Sequence, residues 1–179
     1  MSYSNNLNEQ KIWNYFKSKG FSDYGISGLM GNIYAESGLK PNNLQDTGNI
    51  KLEMNDNDYT ASVDNGTYSK EQFINDFNGF GLCQWTYWTR KRNLYDFAKS
   101  RNVSISNLEM QLDFLYKELT ESYKTVHNTL RTATSVLEAS NAVLLKYESP
   151  ADQSTSVQKL RASYGQVFII NILITVKEA

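Results

Sequence analysis

The sequence predicts a mainly α-helical protein of the α+β class: a helical body with one small β-hairpin. Two observations carry that expectation. Apolar residues recur at helical spacing through most of the chain, behind recognisable helix-start pairs, whereas residues 42–68 abandon that period for Asn, Asp and Gly. At 179 residues the chain is long enough for a single domain with its own core, and neither a repeat nor a low-complexity linker divides residues 1–179.

Asn6 with Glu9 reads as a capping box for a first helix through Ile12, Trp13 and Phe16, which Gly20 closes. Ser22 opens a second helix, on which Ile26, Leu29, Met30 and Ile33 recur at helical spacing. Gly25, Gly28 and Gly31 lie inside it. Glycine costs about 1 kcal/mol in a helix interior, so this series predicts another backbone packed very close. In the Asn-rich stretch, YTASV reads as a strand, Asp64-Asn65-Gly66 as its turn and Thr67-Tyr68 as the start of the return strand. Asp46, before Thr47-Gly48, reads as a loop residue.

A short amphipathic piece, KEQFINDF, precedes the Gly79-Phe80-Gly81 break. Helices are expected next at residues 88–100, then behind Ser106 with Glu109, carrying Leu108, Leu112, Leu115 and Leu119. Another runs from Ser135 with Glu138 to Tyr147, stopped by Pro150. A last one starts near Ser154 and carries Val157, Leu160, Tyr164 and Phe168; its β-branched end is compatible with a strand.

Composition narrows the functional classes. The formal net charge is −1 and the pI about 5.9, without the basic field that neutralises phosphates, so nucleic acid is not an expected partner. Cys83 stands alone, which excludes an intrachain disulfide, and no Cys/His spacing fits a zinc site; neither metal nor cofactor is expected. The start MSYSNNLNEQ lacks the basic and apolar regions of a signal peptide, so synthesis in a reducing cytoplasm is expected, with delivery by other means if the protein acts outside a membrane. The run VFIINILITV is roughly half of the ~20 residues a membrane span needs and reads as a buried terminal helix or strand. Twelve tyrosines suit a groove for sugars or peptides. Arg90-Lys91-Arg92 is the densest basic run, read as the solvated face of a helix.

Chemistry centres on GNIYAESG. Leu29, Ile33 and Glu36 are i, i+4 and i+7, so the acid lies at the edge of a buried stripe, beside a helix end marked by Gly38 and Pro41. Partial burial and the negative helix C-terminus both disfavour an ionised carboxylate, the condition a general acid needs near neutral pH. Glu36 pointing into solvent at a fraying helix end is the other reading. In GFGLCQWT the glycines permit a tight bend; Gln84 can hydrogen-bond hydroxyl or N-acetyl groups, and Trp85 can offer an apolar face to a sugar ring or pack in the core.

GLMGNIYAESGLKPNNLQ, GFGLCQWT and KYESPADQS, in this order over nearly the whole chain, resemble the phage tail lysozyme family of the lysozyme-like superfamily. The resemblance implies a lysozyme-like helical domain with its small β-hairpin beside an active-site cleft. It implies cleavage of the β-1,4 bond between N-acetylmuramic acid and N-acetylglucosamine in bacterial peptidoglycan. Glu36 would be the catalytic acid, and the Gly81-x-x-Gln84 segment would line the cleft. Tyr147, in a Tyr-Glu-x-Pro segment, would orient Glu36 or touch substrate. A virion tail or a holin would deliver such an enzyme to the wall, with other phage tail proteins as possible partners.

A second acid is left open. Glycosidases pair the acid with a carboxylate about 5–5.5 Å or about 6.5–9.5 Å away, whereas lytic transglycosylases manage with one acid and release an anhydro sugar. Among Asp46, Glu53, Asp56, Asp58, Asp64 and Asp76, Asp58 is the first choice, being just before the expected strand. Two further classes compete: a peptidase or amidase using Cys83 and His127, and a wall-binding module without catalysis. A buried thiol for Cys83, and a surface or cap position for His127, are the plainer readings.

Overall fold

The structure, a computed structural model, describes residues 7–178, with side chains described as far as residue 171. Helices α1 (Leu7–Ser18), α2 (Asp23–Ser37), α3 (Asp46–Leu52), α4 (Asp56–Asn65) and α5 (Lys70–Asn75) come first. They are followed by α6 (Trp88–Ser100), α7 (Leu108–Glu121), α8 (Lys124–Thr132) and α9 (Val136–Val143), which runs into a π turn at Leu144–Glu148; α10 (Thr155–Glu178) is last. The protein is mainly α-helical. Among the described residues there is no β-strand, only two isolated antiparallel bridges, Leu44 to Phe80 and Phe80 to Trp85. The chain forms two compact units, one of residues 1–35 with 117–179, the other of residues 36–116.

The first unit explains the glycine series. A Cβ on Gly25 would lie 1.8 Å from the Leu130 carbonyl oxygen, and one on Gly28 2.5 Å from the Ala139 Cβ. One on Gly31 would lie 2.5 Å from the Gly165 amide nitrogen. One face of α2 therefore packs directly on α8, α9 and α10, closer than any side chain would permit. Ser22 accepts the Gly25 N–H at 3.0 Å, as its place before the helix predicts, and Asn32 donates to the Ser140 carbonyl and hydroxyl inside the interface. Helix α8 was not among the expected elements. His127 lies within it, packed edge-on against Phe21 at 5.5 Å, and is neither a cap nor a fully exposed residue. The proposed cap Asn6 lies outside the described residues. Helix α10 continues through the β-branched end without becoming a strand, and no helix of the described residues is long and apolar enough to cross a membrane.

The second unit corrects the hairpin. YTASV is helical, inside α4, because Asn55 accepts the N–H groups of Asn57 and Asp58 and so caps the helix start. Tyr59, Thr60 and Val63 then fall on one buried face, a period of three to four and not two. Gly66, at φ 84°, ends the helix as a left-handed cap, so the Asn-Gly pair closes a helix instead of turning a hairpin. Asp64 is likewise no simple turn residue, since it accepts the Ile105 N–H at 3.0 Å. Asp46 begins α3 and is not in a loop. The KEQFIN part of KEQFINDF is short helix α5, with a full capping box between Ser69 and Gln72, and Asp76 is its C-cap. Asn107, not Ser106, caps α7 by accepting the Met110 N–H at 2.9 Å.

The basic run needs the largest correction. Lys91 is completely buried, on the same α6 stripe as Leu94 and Ala98, and forms an ion pair with buried Asp76. Asp76 also accepts from the Tyr59 and Tyr68 hydroxyls and the Asn78 N–H, while Lys91 donates to the Asn78 carbonyl at 2.9 Å. The ammonium lies 4.3 Å from the centre of the Phe73 ring. Burial pushes the Lys91 ammonium below its usual range, partly offset by Asp76, and pushes the Tyr59 hydroxyl well above the usual tyrosine range. Tyr68 is pushed up to about 12, first by burial and then by the Asp76 charge.

Candidate active site

Glu36 is the penultimate residue of α2. Buried Ser37 donates from its hydroxyl to the Leu82 carbonyl at 2.9 Å, tying the end of α2 to the GFGLCQWT segment. Positive φ angles at Gly38 (61°) and Leu39 (62°) then turn the chain sharply out of the helix. Glu36 itself is half-buried. The structure thus brings together the two segments that the sequence singled out, the Glu36-Ser37 helix end and Gly81-Leu82-Cys83-Gln84.

That second segment is held from several sides. Phe80 and Trp85 exchange backbone hydrogen bonds, enclosing a tight turn in which Gly81 takes φ 78°. A Cβ on Gly81 would lie 2.8 Å from the Gln111 side-chain amide. Gln111, fully buried on the leucine face of α7, accepts the Leu82 N–H at 2.9 Å and donates to the Pro41 and Ile105 carbonyls. One amide thus fixes the turn, the loop after Gly38 and the start of α7. Sequence reasoning passed over Gln111; the available signal was a polar residue inside the stripe of Leu108, Leu112 and Leu115.

Gln84 is half-buried at φ 46°, and its Nε2 donates to the Asn43 carbonyl at 3.1 Å and the Asn43 side-chain oxygen at 2.9 Å. Trp85 has no exposed surface and packs edge-on against Phe114 at 5.4 Å, the geometry of a core residue. Cys83 is also buried. Asp58 is exposed in the first turn of α4, where its carboxylate accepts from Asn55 Nδ2 at 2.6 Å. Tyr147 belongs to the other unit. It is buried in the π turn, donates from its hydroxyl to Glu118 at 2.6 Å and meets the Tyr123 ring at 4.9 Å. Among the described residues no group of His, Cys, Asp and Glu side chains is arranged to hold a metal ion.

A helical protein in which a Glu-Ser helix end is bonded to a Gly-x-x-Gln turn has the two sequence signatures of a lysozyme-like enzyme. The family model for phage tail lysozyme matches residues 7–170, and the chain belongs to that family. Morphogenesis protein 1 of Bacillus phage B103 is 26% identical over 167 residues, covering 88% of this chain. The chain spans 38% of the length of that relative.

Proposed function

We propose that the chain, residues 1–179, is a peptidoglycan-degrading catalytic domain that cleaves the β-1,4 bond between N-acetylmuramic acid and N-acetylglucosamine, with Glu36 as general acid. The observation that supports this most directly is the Ser37 to Leu82 hydrogen bond, which holds the Glu36-bearing helix end against the Gly-x-x-Gln turn. A half-buried carboxylic acid in such a setting donates its proton to the glycosidic oxygen as the bond to the anomeric carbon breaks. Gln84, pinned by Asn43, is proposed to line the same cleft, and Trp85 to support it from within the core.

Two outcomes follow bond cleavage. Water attacking the anomeric carbon gives hydrolysis, and a second carboxylate assists it; Asp58 is the candidate, although its bond with Asn55 already accounts for it as a helix-cap residue. Attack by the sugar's own 6-hydroxyl gives an anhydro product and needs only one acid. Tyr147 is proposed as a positioning residue, with its hydroxyl held by Glu118. The similarity to a phage morphogenesis protein supports a virion-associated role, with phage tail proteins as partners.

Glu36→Gln keeps the size and removes the transferable proton. The expected result is unchanged circular dichroism with a loss of at least ~10²-fold in turbidity clearance of purified cell walls. Equal clearance by the two proteins would refute the assignment. Mass spectrometry of the products separates a reducing muramic end from an anhydro end, and clearance by Asp58→Asn tests the second acid.

A further inference from the structure

The second unit carries an open groove of about 640 Å³ between the loop after Gly38 and the starts of α3 and α4, within the size range of small-ligand sites. Five of its eight lining residues are asparagines, and none is aromatic. The amides are anchored at one end. Asn42 spends its Nδ2 on the Asn57 side-chain oxygen at 2.8 Å, which leaves an acceptor on Asn42 and a donor on Asn57. Asn43 spends its oxygen on Gln84, which leaves its Nδ2. Asn49 donates to the Met54 carbonyl at 3.0 Å and to Asp56 at 3.4 Å and keeps its oxygen, whereas the Asn55 amide is spent on the start of α4. Lys40 supplies a cation and Asp46 an anion; Asp56 adds a second carboxylate, one oxygen of which already accepts the Leu44 N–H at 3.0 Å.

A set of pre-oriented donors and acceptors lowers the entropic cost of binding and matches a chain of amides. Charges of both signs match a ligand that carries both carboxylate and ammonium groups. A pyranose, by contrast, is usually met by an aromatic face, and this groove offers none. We propose that the groove binds a short zwitterionic peptide, the peptide stem of peptidoglycan, and not its glycan strand. The choice of stem as the ligand rests on the proposed wall-degrading function. Asn43 links the groove directly to the Gln84 turn, so stem binding there would set how the wall lies relative to the candidate site.

The test is titration of isotope-labelled full-length protein with two probes, a synthetic stem tetrapeptide without sugar and chitotetraose without peptide, followed by nuclear magnetic resonance. The stem is expected to shift the backbone amides of residues 42 and 57 and the side-chain NH₂ signals of Asn57, which do not touch Gln84, and chitotetraose to leave them in place. Asn57→Asp preserves the acceptor for Asn42 and replaces the open donor with a carboxylate, and should weaken stem binding about tenfold. Absence of stem-induced shifts at these residues, or shifts caused there by chitotetraose, would overturn the proposal. Wall clearance is scored separately: stem binding in a protein whose Glu36→Gln variant clears walls as well as wild type would refute the glycosidase assignment and leave this one standing.

Discussion

Replacing Lys91 by Met tests whether the buried ion pair is as dry as its surroundings imply. The Lys91 side chain is 0% exposed and that of Asp76 3%, so neither charge is solvated by bulk water. Methionine fills the same volume and deletes only the ammonium. Breaking a buried pair from one side costs about 3–5 kcal/mol, because the other charge is left uncompensated. Asp76 keeps its bonds from Tyr59, Tyr68 and the Asn78 N–H, which places Lys91→Met toward the lower end of that range. The loss would be read from urea unfolding midpoints at constant slope. Asp76→Asn differs in kind. It leaves a lysine whose ammonium burial already disfavours, and the lysine can shed its proton. With a folded-state value below the unfolded one, the unfolded chain binds more protons between the two, so stability of Asp76→Asn should rise with pH toward the ordinary lysine range. A cost below about 1 kcal/mol for Lys91→Met would refute the argument, since it would mean that water reaches the pair.

Gly31→Ala gains about 1 kcal/mol of helix propensity but sets a methyl 2.5 Å from the Gly165 nitrogen and 2.6 Å from the Arg161 carbonyl oxygen; backbone on both sides makes a net loss of about 1–3 kcal/mol the expected result in thermal or urea unfolding. Cys83→Ala should retain most wall-clearing activity and thiol reagents should inhibit little, because the thiol is buried; complete loss in a folded variant would revive the cysteine-nucleophile reading. Tyr59 and Tyr68 are raised above the ordinary tyrosine value of 10.0, so the unfolded chain releases these protons first and stability should fall as pH climbs past about 10. Tyrosinate absorbance followed alongside circular dichroism should show Tyr59 titrating only as the fold is lost; its ionisation in a folded protein would contradict the burial.

Local chemistry written into the sequence determined a good deal. Stripes at helical spacing gave α1, α2, α6, α7, α9 and α10, because the period of a helix is set by its own geometry and needs no remote information. The glycines of α2 announced a close backbone contact before its partners were known, since a residue without a side chain at such a cost requires a reason. The Glu36-Ser37 and Gly81-x-x-Gln84 segments stood out by a helix-end signal and a glycine break of their own, while the roles assigned to them came from the family resemblance. Two misses were local, since the Asn55 cap of α4 and the whole of α8 lie in their own stretches of sequence; the others lay where a remote partner decided the outcome. Local propensity in YTASV and the Asp-Asn-Gly turn favoured a hairpin, yet burial of Tyr59 and Val63 on one face, with Asn55 as cap, made a helix. Arg90-Lys91-Arg92 looks like a wet face until Asp76, on a separate element, takes Lys91 into the interior, and Gln111 has no visible purpose until the Leu82 and Pro41 backbones arrive beside it. A buried polar group is tolerable only with its partners in place, and those partners lie 15 to 70 residues away along the chain, so only the folded structure could choose them.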